Sequence, residues 1–215
     1  MTAFHLSRLH FPVTALGPGH RIGLWVQGCS IRCSGCISLD TWAVGRGSTT
    51  VTAVCEAMGR WLPEADGITV SGGEPLDQAP ALRELLTEVR PRLTGDVLLF
   101  TGYSTATALA HPLVTDGLID AIVPEPFDRN APQTRALRGS DNQPLLPITD
   151  LGRKLYAGIV DAPPDRRLDV MFDADSVWFA GIPARGDFVR LEASLGAKGH
   201  RVTTSAEGHP PMASE

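Results

Sequence analysis

G-P-G-H-R-I-G-L-W-V-Q-G-C-S-I-R-C-S-G-C-I-S-L-D-T-W, residues 17 to 42, sets a short apolar strand directly against a cysteine-rich loop. Ile22 to Val26 is apolar, β-branched and aromatic and follows the turn residues Gly17 to His20, which predicts a buried strand. Gln27 to Thr41 reads as a loop. Its three cysteines, Cys29, Cys33 and Cys36, follow C-x3-C-x2-C and can reach one metal centre from one segment. Thiolates suit zinc and iron–sulfur clusters above other metals. A structural zinc site is closed and needs four ligands. The nearest fourth candidates, Cys55 and His20, are not at a zinc-finger spacing. A cubane held by three cysteines leaves one iron open to bind a substrate. The plain alternative is a zinc knob, or three reduced thiols without metal.

Working outward, Val51 to Trp61 has apolar positions at helical spacing, with Thr49 or Thr50 as N-cap. Gly67 to Ser71 is a second strand, followed at once by Gly72-Gly73-Glu74-Pro75. In Ala79 to Val89, Leu82, Leu85, Leu86 and Val89 share one helical face. Asp96 to Phe100 is a third strand running into Thr101-Gly102-Tyr103, Ser104 to Ala110 a short helix, and Leu118 to Val123 a fourth strand. Continuous apolar strands alternating with helices predict an α/β fold, a parallel sheet covered by helices. The loop of cysteines follows a strand end, where such sheets bind ligands.

The pattern changes after Val123. Pro124 to Asp150 holds five prolines and is expected to be a long functional loop. Leu168 to Phe172 and Ser176 to Ala180 read as a strand pair, and Asp187 to Leu195 as a last helix. Residues 1–20 open on a mixed apolar stretch and then break at Gly17 to His20. The expected organisation is one domain over residues 1–195, with a C-terminal extension from about residue 151 and a flexible tail over 196–215.

Composition narrows the classes. The chain has 215 residues, 43% apolar and 20% charged, with net charge −5. An acidic balance argues against a nucleic-acid partner. No apolar run reaches the roughly 18–20 residues that span a bilayer, so no membrane association is expected. The N-terminus lacks a secretory pattern. Three of the four cysteines fall within eight residues, unlike an evenly paired disulfide framework. These features point to the cytoplasm.

With these residues in view, the chain resembles the radical S-adenosylmethionine superfamily, and within it the small activating enzymes of anaerobic ribonucleotide reductase and pyruvate formate-lyase. The resemblance rests on Gly17 to Trp42, on S-G-G-E-P at Ser71 to Pro75, on T-G-Y at Thr101 to Tyr103, and on R-G-S-D-N-Q at Arg138 to Gln143. The cysteine and Gly-Gly-Glu motifs, in order and about 35 residues apart, are a specific signal together. The resemblance implies a partial (β/α) barrel with parallel strands and one 4Fe-4S cluster on Cys29, Cys33 and Cys36. It implies that the open iron chelates S-adenosylmethionine, and that Ser71, Gly72, Gly73 and Glu74 lie at the methionyl amine. Thr101 and Tyr103 become candidates for ribose or adenine contact, or a plain strand-end turn. Trp25 and Trp42 are expected in the core.

The implied reaction is reductive cleavage of S-adenosylmethionine to methionine and a 5′-deoxyadenosyl radical, with the electron from an external flavodoxin or ferredoxin. The leading target is a glycine of a glycyl-radical enzyme. The alternative is a small molecule in a biosynthetic pathway, motivated by two departures: Pro124-Glu125-Pro126-Phe127 stands where the family carries Asp-Gly-Pro-Phe, and the chain extends past the minimal activating enzyme. A third reading is a non-enzymatic iron–sulfur or zinc protein. Cys55 is expected as a small buried hydrophobe, with thiol-based transfer as the sharper alternative. Asp141 and Asn142 are candidates for contact with substrate or S-adenosylmethionine, and Arg138 for a carboxylate or a neighbouring acid. The histidines are assigned no role.

Overall fold

The computed structural model describes residues 2–172 and 177–200. Seven strands form one sheet: β1 (Ala3–Val13), β2 (Arg21–Val26), β3 (Ser48–Thr50), β4 (Gly67–Gly72), β5 (Asp96–Phe100), β6 (Ala121–Val123) and β7 (Leu146–Pro147), in the order β3-β1-β2-β4-β5-β6-β7. β2, β4, β5 and β6 run parallel, with Ile22 beside Ile68, Val70 beside Leu99 and Leu99 beside Ile122. β1 is antiparallel to both β2 and β3, and β7 is antiparallel to β6. The fold is therefore mixed α/β, with a parallel centre and antiparallel margins. β3 and β7 are its two edges, and the sheet is not a closed barrel.

The helices form where the sequence places caps. α1 (Val51–Gly59) starts at Thr50, whose hydroxyl accepts from the Ala53 N–H at 3.2 Å. α2 (Ala79–Val89) buries Leu82, Leu85, Leu86 and Val89. α3 (Thr105–Leu109) is capped by Ser104, and α4 (Pro112–Thr115) by His111. α5 (Asp150–Tyr156) is capped by Thr149. A separate hairpin, β8 (Leu168–Phe172) with β9 (Val177–Gly181), leads to α6 (Asp187–Gly196).

Strand side chains alternate between faces, and the two faces are covered differently. Ile22, Leu24 and Val26 of β2 pack with α1 and α2 in the main core. Trp25 points the other way and meets Val13, Met171, Ala180 and Trp178, with the Trp25 and Trp178 rings edge to face at 5.2 Å. Leu98, Ala121 and Val123 meet Tyr156 of α5 on that side. The second face is thus covered by α5 and the β8–β9 hairpin rather than by helices alone. Thr14 fixes the hairpin, donating its N–H and hydroxyl to Asp169 at 2.7 Å each.

Several boundaries differ from the sequence reading. β1 was not expected, because Ser7, Arg8 and Pro12 interrupt its apolar pattern. The fourth strand starts at Ala121 rather than Leu118, because the chain is still turning out of Gly117 (φ 75°). The Pro124–Asp150 segment is mostly turns but contributes β7. Ser176 and residues 201–215 lie outside the described residues.

Candidate functional site

The carboxyl ends of β2, β4, β5 and β6 bring the sequence-derived candidates to one place, where open parallel sheets bind ligands. β2 delivers Cys29, β4 delivers Ser71 to Glu74, β5 delivers Thr101 to Tyr103, and β6 leads into Pro124 to Phe127. His20 sits at the opposite end of β2, where its backbone N–H donates to Asp66. A six-residue strand separates it from Cys29 by roughly 20 Å. Cys55 is buried in the α1–α2 core, and the cleft it lines with Glu56, Glu84, Glu88 and Arg92 contains none of the candidate site residues.

The cysteine loop is anchored at its base and its side. Gly28 N–H donates to the Thr41 carbonyl at 2.7 Å and Cys29 N–H to that of Trp42 at 3.3 Å. The Gln27 amide donates to the Asp40 and Ala43 carbonyls. Asp77 accepts from both the N–H and the hydroxyl of Ser30 at 2.8 Å, and from the Tyr103 hydroxyl at 3.1 Å. Gln27 and Asp77 are therefore site residues that the motif reading missed. The only signal for Asp77 is its place on the 3-10 turn after Pro75.

The three thiols are free, with Cys29 buried and Cys33 and Cys36 partly so. Two of them accept a backbone N–H: Cys29 from Arg32 at 3.5 Å and Cys36 from Ser38 at 3.4 Å. Burial pushes the Cys29 and Cys33 thiols up, and nearby backbone N–H groups oppose it. The charges of Cys29 and Cys36 act on Cys33. Yet among the described residues no three His, Cys, Asp or Glu side chains converge closely enough to hold one metal ion.

Gly72 and Gly73 have an internal reason to be glycine. Gly72 has φ 103°, and a Cβ there would come within 2.5 Å of the Val26 nitrogen. A Cβ at Gly73 would come within 2.0 Å of the Gly28 carbonyl oxygen. Gly73 N–H and Glu74 N–H donate to the Val26 and Gly28 carbonyls at 2.9 and 2.8 Å. The Gly-Gly-Glu turn is thus joined to the root of the cysteine loop. Ser71 lies half-buried beside Trp25 in the strand register.

Glu74 is 1% exposed. Its Oε1 accepts from Leu76 N–H at 2.9 Å and from the Thr101 hydroxyl at 2.7 Å, and its Oε2 from Gly102 N–H at 2.7 Å. Among the described residues no cation pairs with it. Burial holds its carboxyl above the ordinary range, against the pull of these three donors. Thr101 is 5% exposed, and its donor is already occupied by Glu74. Tyr103 reaches Asp77.

The R-G-S-D-N-Q motif faces its own chain. Asp141 accepts from the Thr134 N–H and hydroxyl. Asn142 donates to the Pro126 carbonyl at 2.9 Å and Gln143 to that of Glu125 at 2.9 Å. Arg138 pairs with no acid among the described residues and donates to the Val160 carbonyl at 2.6 Å.

Residues 15–146 match the family model described as the 4Fe-4S single cluster domain. The anaerobic ribonucleoside-triphosphate reductase-activating protein of Enterobacteria phage T4 is 30% identical over 139 residues, covering 62% of this chain and 88% of the relative. The pyruvate formate-lyase-activating enzymes of Staphylococcus epidermidis and Staphylococcus aureus are each 41% identical over 93 residues, 40% of this chain. The match spans only 37% of the length of those two. No helix is long and apolar enough to cross a membrane among the described residues. A three-thiol loop braced against a Gly-Gly-Glu turn, within a match covering nearly all of the phage protein, places the chain in the 4Fe-4S single cluster family, in the group of radical S-adenosylmethionine activating enzymes.

Proposed function

We propose that this protein binds one 4Fe-4S cluster through Cys29, Cys33 and Cys36 and cleaves S-adenosylmethionine reductively to generate a glycyl radical on a partner enzyme. The observation that carries the reading is the pairing of three neighbouring thiols with one buried carboxylate that has no cation. When bound, the cluster supplies an electron to the sulfonium, giving methionine and a 5′-deoxyadenosyl radical. The residues present fit it. Three cysteines leave a fourth metal position open, and the fourth cysteine and His20 are too remote to close it.

The chain's own residues bind and orient. Glu74 supplies the negative charge that complements the methionyl ammonium, since Oε2 accepts one hydrogen bond and retains acceptor capacity. Gly72 and Gly73 bring that turn against the cysteine loop, and Ser71 lies at its start. Thr101 orients Glu74, and Tyr103 with Asp77 holds Ser30, so both support the site through other residues. Ile31 packs over Gly102, where a Cβ would come within 2.9 Å of it, and shields this side from water.

We read residues 1–195 as one partial (β/α) barrel domain, with the extension from about residue 151 as part of the same core. That reading is supported by full burial of Tyr156. A flavodoxin or ferredoxin is the electron donor, and the cytoplasm the compartment. The phage relative's name refers to a ribonucleoside-triphosphate reductase, which favours an anaerobic reductase as partner over a small molecule. The test is electron paramagnetic resonance on the reconstituted protein mixed with S-adenosylmethionine, dithionite and an anaerobic ribonucleotide reductase of the glycyl-radical type. A glycyl doublet supports the reading. Its absence, with 5′-deoxyadenosine still formed, redirects the reaction to a small molecule.

A further inference from the structure

The family match ends at Leu146, and the residues beyond it return to the site on both of its sides. On one side stands Trp178 of β9, on the inner face of the hairpin opposite Met171. Its ring meets Trp25 of β2 at 5.2 Å and His10 of β1 at 5.5 Å, each edge to face. The Arg8 guanidinium lies over the same ring, 5.6 Å from its centre. Arg8 in turn pairs with Asp40 at 2.6 Å. Asp40 belongs to the 3-10 turn Leu39–Thr41 that follows the cysteines. From that turn the Asp40 carbonyl accepts the Gln27 amide at 3.1 Å, and the Thr41 carbonyl accepts Gly28 N–H at 2.7 Å. An unbroken line of contacts thus runs from Trp178 to the residue before Cys29. The Gly28 carbonyl accepts Glu74 N–H at 2.8 Å, so the same line ends on the backbone of the buried carboxylate.

On the other side the extension holds the segment after β6. The Gln133 side-chain amide donates to the Pro183 carbonyl at 3.0 Å, and Arg166 donates to the Gln133 carbonyl at 3.0 Å. Arg185 donates to the Ala131 carbonyl. Ala131 N–H donates to the Asp128 carbonyl at 3.3 Å, which carries the hold into Pro126–Asn130. That strip borders the cysteine loop: a Cβ on Gly35, between Cys33 and Cys36, would come within 3.5 Å of Arg129 and 3.6 Å of Phe127. With Ser34 it walls a cleft of about 310 Å³. These links add little to stability by themselves, since Arg8 and Asp40 are 35% and 30% exposed. Their worth is directional. A guanidinium held between an aromatic ring and a carboxylate fixes the turn that carries the carboxylate.

We propose that the C-terminal extension is a two-armed clamp on the cofactor site, in which Trp178, acting through Arg8 and Asp40, and Arg185, acting through Ala131, are positioning residues for S-adenosylmethionine. The proposal rests on the reading of the site as one for a cluster and that cofactor. The first arm sets the cysteine loop against Glu74, because Gly28 is bonded to the turn through its N–H and to Glu74 through its carbonyl. A ligand that must reach both an iron on the loop and the carboxylate is sensitive to their separation, as any two-point attachment is. The second arm sets the strip facing Ser34 and Gly35. None of these side chains touches the cofactor in this account, and each acts through another residue.

The experiment combines hydrogen exchange on the apo chain with a titration of the reconstituted, reduced protein by S-adenosylmethionine, followed through the electron paramagnetic resonance spectrum of the cluster. In the apo chain Asp40→Asn and Trp178→Ala should speed exchange of the Gly28 and Cys29 amides, and Arg185→Ala that of Ala131, with α2 protected as in the wild type. In the reconstituted protein iron and sulfide per chain should be unchanged. The S-adenosylmethionine concentration at half-maximal spectral change should rise about twofold to fivefold for each variant, the range of a single cation–π contact. Trp178→Phe, which keeps an aromatic face for Arg8, should bind as the wild type does. Asp40→Asn combined with Trp178→Ala should weaken binding no further than either alone, because both cut the same line. Additive effects of that pair, or faster exchange with an unmoved binding concentration, would overturn the proposal. A wild type that assembles no cluster would instead overturn the reading of the three cysteines, and this proposal with it.

Discussion

Of the carboxylates buried at the ends of this sheet, Asp96 and Glu74 are treated in opposite ways. Asp96, at the amino end of β5, is 0% exposed and bonded twice by Arg21, at 2.7 and 3.0 Å, and by the Tyr156 hydroxyl at 2.6 Å. Arg21 is itself completed by Thr69 and by the Pro18 and Ile68 carbonyls. Glu74, at the carboxyl end of β4, is equally buried but has only neutral donors. A buried charge that is fully paired holds the fold in place. One without a counter-ion keeps a desolvation cost that an incoming cation can offset. The amino end of the sheet closes its buried charge internally, and the function proposed above has the carboxyl end completed by the ammonium of S-adenosylmethionine.

The largest expected effect lies at the closed end. Asp96→Ala leaves Arg21 as an uncompensated buried cation and should cost about 3–5 kcal/mol, read by urea denaturation of the apo chain. Arg21→Met with Asp96→Leu should recover most of it. A single replacement without loss would dissolve the contrast between the two ends.

At the open end, Glu74→Gln should raise the S-adenosylmethionine concentration needed for half-maximal binding by about tenfold or more, equivalent to ~1.4 kcal/mol or more. The iron content should be unchanged. The pH dependence has a definite sign. The folded carboxyl of Glu74 lies above its unfolded range, so its contribution to stability is fully present below about pH 4.3. It is lost as the pH rises through the folded value. Urea midpoints of the wild type should therefore fall across that window more than those of Glu74→Gln. Parallel profiles would show that the carboxylate is not the strained group.

A smaller effect is expected at Asp77→Ala, which frees Ser30 and Tyr103. It should cost about 1–2 kcal/mol and slow cluster incorporation. The smallest is Tyr156→Phe, which removes one bond to Asp96 and should cost about 1 kcal/mol. A cost comparable to that of Asp96→Ala would mean that the Arg21 pair alone does not satisfy the aspartate.

The elements positioning the site were legible in the sequence because local signals agreed with the tertiary outcome. The Ile22–Val26 and Gly67–Ser71 strands are continuous apolar runs ending in turn residues, and α2 has an unbroken apolar face. The motif residues Cys29, Gly73, Glu74 and Thr101 follow strand ends that the parallel sheet must align, so their gathering at one end was legible too. What stayed hidden depends on long-range pairing. β1 reads as irregular because its Arg8 and Pro12 are accommodated by register shifts against β2. Asp77 and Gln27 act through backbone groups of the cysteine loop, and no spacing rule marks such bonds. The close approach of Gly72 and Gly73 to Val26 and Gly28, a packing reason for glycine at both positions, is not visible in the motif either. The clasp of Asn142 and Gln143 on Glu125 and Pro126 is likewise visible only once the segment after β6 is folded back on the cysteine loop.

The central claim is that three cysteines of one loop hold a cluster that cleaves S-adenosylmethionine. It is tested most directly by reconstituting the chain anaerobically with iron and sulfide, adding S-adenosylmethionine and dithionite, and measuring 5′-deoxyadenosine beside Cys33→Ala and Cys55→Ser. The account predicts product from the wild type and from Cys55→Ser, and none from Cys33→Ala. Product from Cys33→Ala at the wild-type rate, or none from a wild type whose reduced cluster binds no S-adenosylmethionine, would contradict it.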